Sequence, residues 1–308
     1  MTHNHVQHIL IPHAVADDRI GSIFNHVFQI LAKTEEVLAD GNASVVWDFE
    51  RCEFLHPFYV AALGVLKSRY PNMIYVEGCN PILGGYLEAV HFHEPLKLGL
   101  LSGQNLWNLY NDRSYLPICA FDPRNENISL NAQTMIQNVL KSQIGRHPLI
   151  HQVISLLMAE LIDNITDHSK SPLGYIFCQR LKQRQALYLY IGDAGQSVYS
   201  SYATDARYSH LLSNLESSAL KLAMSGKSTK NRPEAENRGY GISKSRSLIV
   251  DGLGGAFFML SGNAFFRHDA NSEIIVDLPE SIRWDGTVIL MEIPLNKVDN
   301  LNIYDYIS

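Results

Sequence analysis

Apolar positions in the first third of the chain switch between strand-like runs and helical spacing. Val6–Ile11 is a short apolar stretch ending at Pro12, and Ile20–Leu38 carries a helical face through Ile23, Val27, Leu31 and Val37. Ala43–Phe49 (ASVVWDF) is β-branched and apolar without alternation, the pattern of a buried strand. Phe58–Ser68 reads as a helix and Asn72–Val76 (NMIYV) as a second buried strand. Pro81–Val90 reads as a helix with proline in its first turn. Strands separated by helices predict a small α/β layer of roughly 110 residues.

From Leu116 the texture changes. LPICAFDPRNEN is a strand-like run followed by a polar, proline-containing stretch, which sets a boundary near residues 116–125 and two domains, 1–118 and 119–308. Helical patterns follow at Ser129–Ile144 and Pro148–His168. A hairpin-like pair, Leu173–Arg180 and Gln185–Ile191, is joined by the basic turn LKQR. Gln196–Asn237 is long and polar with one helical patch at Leu215–Met224. A helix at Ile242–Ile249 precedes strands at Gly255–Ser261, Glu273–Asp277 and Thr287–Ile293. No internal repeat or low-complexity tract interrupts this order.

Composition narrows the class. The 308 residues carry 25 Lys plus Arg against 31 Asp plus Glu, a net charge of −6, which argues against a broad nucleic-acid-binding surface. Hydrophobic residues at 46% and charged residues at 18% suit a folded chain with a real core. The longest apolar runs, such as Val60–Val65 and Ala256–Leu260, are too short for a bilayer, and the first residues lack the features of a secretory signal. Cys52, Cys79, Cys119 and Cys178 form no C-x-x-C pair and suit a reducing compartment. The expectation is a soluble, cytoplasmic protein with no membrane partner.

The most informative stretch is Met158–Ser169, MAELIDNITDHS. Glu160, Asn164 and His168 recur every four residues, each displaced by only ~40° around a helix, so their polar heads share one face. Leu157, Leu161 and Ile165 lie together about a quarter-turn away and can anchor the helix on a sheet. A carboxylate, an amide and an imidazole in one line suit Mg²⁺ with phosphates attached. An exposed amphipathic helix with a polar ladder accounts for the same spacing. Two further features bear on the choice. Tyr190–Gly195 (YIGDAG) is a strand running into Asp193 beside Gly195, where a buried acceptor can read an exocyclic amine. Asn237–Ser243 (NRGYGIS) places Gly239 and Gly241 at a helix start, where free backbone N–H groups face an anion. The chain has neither a G-x-x-x-x-G-K-[ST] loop nor a G-x-G-x-x-G turn after a strand.

In this order the residues resemble the GHKL ATPase superfamily, the Bergerat-fold ATP-binding domain of histidine kinases, gyrase, a heat-shock chaperone and mismatch-repair ATPases. Glu160, Asn164 and His168 resemble its N box, and Asp193 and Gly195 its adenine-reading D-x-G-x-G, with Ser197 in place of the second glycine. Gly239 and Gly241 resemble its second glycine box, and Thr287 of Gly286–Thr287 its late threonine. ELIDNITDHS is closest to the anti-sigma-factor type. The resemblance implies an α/β sandwich over residues 119–308, ATP and Mg²⁺ as ligands, the metal on Asn164 and the attacking nucleophile positioned by Glu160. It also implies a lid in which Lys227, Lys230, Arg232 and Arg238 are candidates to meet the triphosphate.

Residues 1–118 resemble a STAS domain, the α/β fold of anti-sigma-factor antagonists, through VVWDFERCEFLHP and NMIYVEGCNPILGGYLEAVHF. Leu55-His56-Pro57-Phe58 occupies the segment in which that family carries its phosphorylated serine, and no serine or threonine stands there. The expected function is ATP hydrolysis driving a lid-based regulatory switch. Phosphotransfer to a partner's hydroxyl, as in serine/threonine kinases of the anti-sigma type, and nucleotide-gated binding without turnover are the alternatives. The expected partners are ATP and a regulatory protein, with a homodimer left open.

Overall fold

In a computed structural model of the chain, the structure describes residues 5–13, 20–39, 41, 43–100, 103–125, 133–134, 136–142, 148–168, 170–229, 241–296, 302 and 304–307. The architecture is mixed α/β, with a parallel three-stranded sheet and a mixed eight-stranded sheet. Two compact units are present, one of Met1–Leu96 with Pro117–Cys119 and Pro279–Arg283, the other of Lys97–Leu116, Ala120–Leu278 and Trp284–Ser308. No helix among the described residues is long and apolar enough to cross a membrane.

The first unit alternates β1 (His5–Leu10), α1 (Ile20–Leu38), β2 (Ala43–Asp48), α2 (Pro57–Arg69), β3 (Ile74–Glu77) and α3 (Pro81–Ala89). Its strands run parallel in the order β1-β2-β3, with His8 opposite Val46 and Val46 opposite Tyr75. Val45, Trp47 and Ile74 project to one face and are fully buried. Two helices open on a proline, Pro81 as expected and Pro57 one residue before the expected start at Phe58. His56 caps α2 by accepting from Phe58 N through Nδ1, and Asn80 caps α3 by accepting from Ile82 N and Leu83 N. The one polar atom of Trp47 is satisfied inside the core, donating from Nε1 to Thr34 Oγ1 at 3.1 Å.

Strands β4 (Leu96–Lys97), β5 (Tyr115–Phe121), β6 (Gly174–Leu181), β7 (Ala186–Asp193), β8 (Ala256–Gly262), β9 (Ala264–Asp269), β10 (Ser272–Asp277) and β11 (Trp284–Pro294) build the larger sheet. Its order is β10-β9-β8-β11-β7-β6-β5-β4, so the last strand inserts between β7 and β8. Ile289 stands opposite Ile191 on one side and Met259 on the other. The helices of the second unit are α4 (Gly103–Tyr110), α5 (Pro148–His168), α6 (Val198–Ala203), α7 (Ser217–Met224), α8 (Gly241–Ser247) and the short α9 (Tyr304–Ile307). Residues 133–134 and 136–142 are also helical. Helix α8 passes directly into a π-helical turn at Leu248–Gly252.

The helix expected over Pro148–His168 has those bounds in the structure. Several elements were not expected, among them the two-residue β4 and the short α9. The polar segment after Gln196 contains α6 as well as the expected α7, α4 was not anticipated, and β9 joins β8 and β10 in a continuous antiparallel meander.

Candidate functional site

One cleft of about 840 Å³, counted out to open solvent, lies in the second unit and is lined from α5, the end of β7, α6, the segment after α7, the start of α8, and β8 and β11. Helix α5 buries Leu157, Leu161 and Ile165, and Glu160 and Asn164 line the cleft together with Leu161 and Ile165. Glu160 is itself only 7% exposed. The Asn164 Nδ2 is buried with no hydrogen-bond partner, an orphaned polar atom at the wall of a cavity.

Asp193 closes β7 and is 3% exposed. A buried carboxylate needs hydrogen bonds, and its Oδ1 accepts from Gly195 N at 2.8 Å. Its backbone carbonyl accepts from Trp284 Nε1 at 2.9 Å, which pins the strand end to β11. Gly286 completes the cradle with a φ of +91°. A Cβ there would lie 2.6 Å from Asp193 Oδ1 and 2.7 Å from Gly195 N, so only glycine fits.

Beside Asp193 stands a chain of hydroxyls. The fully buried Ser261 of β8 donates to Gly286 O at 3.0 Å, bonds Thr287 Oγ1 at 2.9 Å and accepts from Val198 N at 2.8 Å. Val198 is the first residue of α6, whose N-cap Ser197 accepts from Ser200 N. Ser197, which stands where the resembled pattern has its second glycine, therefore starts a helix here. Helix α6 in turn holds the segment after α7: Tyr202 Oη donates to Lys227 O, and Ser201 Oγ bonds Thr229 Oγ1 at 3.1 Å. Tyr202 packs against Ala219 and Ala223. Burial, with Tyr208 and Asp205 nearby, pushes its hydroxyl well above the ordinary range, so it stays a donor.

The cleft thus gathers Glu160, Asn164, Asp193, Lys227, Gly241 and Thr287. Gly195 lies beside it, its N–H on the Asp193 carboxylate. His168 ends α5, and its side chain lies outside the described residues, as do Lys230, Arg232, Arg238 and Gly239 altogether. Ser201, Tyr202, Ser228, Thr229 and Ser243 also line the cleft and were not singled out from the sequence. Chemically, the cleft offers a buried carboxylate as acceptor at one end, a lysine among hydroxyls, and the carboxylate and amide of Glu160 and Asn164 as hard oxygens. Among the described residues no three or more His, Cys, Asp or Glu side chains cluster as a metal site. That donor set suits a divalent cation that brings phosphate oxygens and waters of its own. Compared with known proteins, the chain matches no family model, no curated protein and no solved structure.

Proposed function

We propose that the second unit binds ATP·Mg²⁺ as a GHKL-type domain and hydrolyses it to drive a regulatory switch, in a bacterial, cytoplasmic protein whose first unit is STAS-like. The observation that carries the reading is convergence. Glu160, Asn164, Asp193, Lys227, Gly241 and Thr287, taken from helical spacing and from the resemblance and spread over more than a hundred residues of chain, line one cleft. The orphaned Asn164 Nδ2, a donor suited to a phosphate oxygen, and the glycine cradle around Asp193 fit this ligand. Asp193 accepts from the exocyclic amine of the base, and Lys227 meets the phosphate charge. Asn164 contributes an oxygen to the metal, and Glu160 orients the attacking water and holds its proton. Bound Mg²⁺ supplies charge neutralisation on the phosphates. The STAS-like reading of the first unit rests on VVWDFERCEFLHP and NMIYVEGCNPILGGYLEAVHF and on its parallel sheet; the helix start at His56–Phe58 departs from that family, because a buried histidine takes the capping role and no hydroxyl is present to be phosphorylated.

Calorimetric titration of Mg·ATP into the full chain tests the reading. Asp193→Ala is expected to weaken binding roughly 10- to 100-fold, the range for losing a hydrogen bond to a charged group. Glu160→Ala is expected to bind ATP and lose phosphate release. Absence of Mg·ATP binding by the wild-type chain would overturn the proposal. Binding with equal phosphate release in wild type and Glu160→Ala would remove Glu160 from its role, and label from the γ-phosphate on a partner protein would identify phosphotransfer.

A further inference from the structure

The site's hydroxyl chain has a direction, and proton counting sets it. A serine hydroxyl makes at most one donated and two accepted hydrogen bonds. Ser261 has three neighbours: Gly286 O, which can only accept, Val198 N–H, which can only donate, and Thr287 Oγ1. All three bonds form only if Ser261 gives its proton to Gly286 O and Thr287 gives its own to Ser261. The opposite assignment, Ser261 donating to Thr287, forfeits the bond to Gly286 O. Inside a residue that is 1% exposed, a forfeited bond is not replaced by water.

Thr287 therefore turns its proton away from the cleft and presents oxygen lone pairs to it. One step along the antiparallel ladder from the Val288–Gly192 pair brings Thr287 alongside Asp193, and both line the cleft. The base-reading wall then consists of two acceptors side by side. A 6-amino purine brings protons to such a wall. A 6-oxo purine brings only one proton, on N1, together with a third oxygen, so it satisfies one of the two acceptors, and Thr287 could turn its proton outward to meet that oxygen only by giving up Ser261.

We infer that Ser261, which does not line the cleft, is a positioning and specificity-determining residue: by holding the Thr287 proton inward it selects 6-amino over 6-oxo purine nucleotides. This rests on the nucleotide reading of the cleft. The same serine also ties the first turn of α6 to the sheet, so a purely structural role would weaken every nucleotide alike. The preference between nucleotides is the property that separates the two roles.

The test is the ratio of affinities for Mg·ATP and Mg·inosine triphosphate, measured by calorimetry on the full-length chain. Wild type is expected to favour ATP. Ser261→Ala frees the threonine proton and is expected to narrow the ratio roughly five- to tenfold, the value of one neutral hydrogen bond. Thr287→Val, which removes the oxygen itself, is expected to narrow it too, and Ser261→Ala added to Thr287→Val is expected to narrow it no further. Ser261→Cys keeps the shape with a weakly bonding thiol and carries the same comparison should Ser261→Ala not fold. An unchanged ratio in the serine variants, with ATP still bound, overturns the role of Ser261 alone. Equal affinity of wild type for the two nucleotides overturns it as well, whereas wild type binding neither overturns the nucleotide reading beneath it.

Discussion

Gly286→Ala should damage the candidate site more than any other substitution of one methyl group. The glycine adopts φ +91°, and an added Cβ would lie 2.5 Å from Asp193 O, 2.6 Å from Asp193 Oδ1 and 2.7 Å from Gly195 N. Two of those three atoms are backbone, so no side-chain rotation relieves the overlap. Holding an L residue in such a conformation costs about 1–3 kcal/mol. Forcing extra volume into a packed site costs about 1–3 kcal/mol more. Gly226 supplies the control, because it lies in the same unit with φ +81° and has nothing within 4 Å of an added Cβ. Gly226→Ala therefore carries the conformational cost alone, and Gly286→Ala should exceed it by about 2 kcal/mol, the midpoint of the overpacking range. Urea unfolding followed by circular dichroism measures both. Each variant is compared with wild type at constant slope, since a changed slope would mark a change in cooperativity rather than in stability. Nucleotide titration of Gly286→Ala should in addition show weaker Mg·ATP binding, because the carboxylate is displaced. Equal stability losses in the two variants would refute the cradle argument.

Two further substitutions test parts of the fold that support the cleft. Burial raises the Glu292 carboxyl above its ordinary value, while Arg184 and a hydrogen bond from Tyr188 act against that shift. A raised carboxyl disfavours folding once ionised, so wild type should lose stability as pH climbs from the ordinary carboxylate range through the folded value, and Glu292→Gln should lose less over that window. Unfolding midpoints at pH 4 and pH 7 decide it, and a variant that loses more than wild type between them would reverse the sign assigned to Glu292. Tyr202→Phe removes the hydroxyl that donates to Lys227 O and should cost about 1 kcal/mol. Amide hydrogen exchange over residues 227–229 should speed up accordingly, and unchanged exchange there would show that α6 does not hold this segment.

The sequence made the long regular elements legible because their signals are local. Pro81 marks a helix start that the structure keeps, and the apolar spacing over 148–168 predicts α5 with its observed bounds. The missed elements lack such local signals. The VYSSYA of α6 pairs a β-branched residue with serines, all weak helix formers. It is helical because Ser197 caps it and Tyr202 packs on Ala219 and Ala223, more than a dozen residues later. The AFFRHD of β9 has no alternation, and its state is set by pairing with β8 and β10 on either side.

The same division runs through the candidate site. Glu160 and Asn164 are conspicuous because a helix repeats them on one face, and Asp193 because a glycine follows a strand end. Ser261 is an ordinary serine at the end of an apolar strand and carries no such mark. Its importance comes from strand order: β11 enters between β7 and β8, so Thr287 gains Asp193 as one neighbour and Ser261 as the other. Had β11 joined at the edge beyond β10, Asp193 would keep its bond to Gly195 but lose Trp284, the Gly286 cradle and the threonine beside it. The site is therefore assembled by a pairing that forms across nearly one hundred residues, and the direction of the Thr287 hydroxyl is fixed only once that pairing is complete. A spacing motif can name the residues that meet a ligand, but the polarity of a hydroxyl belongs to its three-dimensional neighbours.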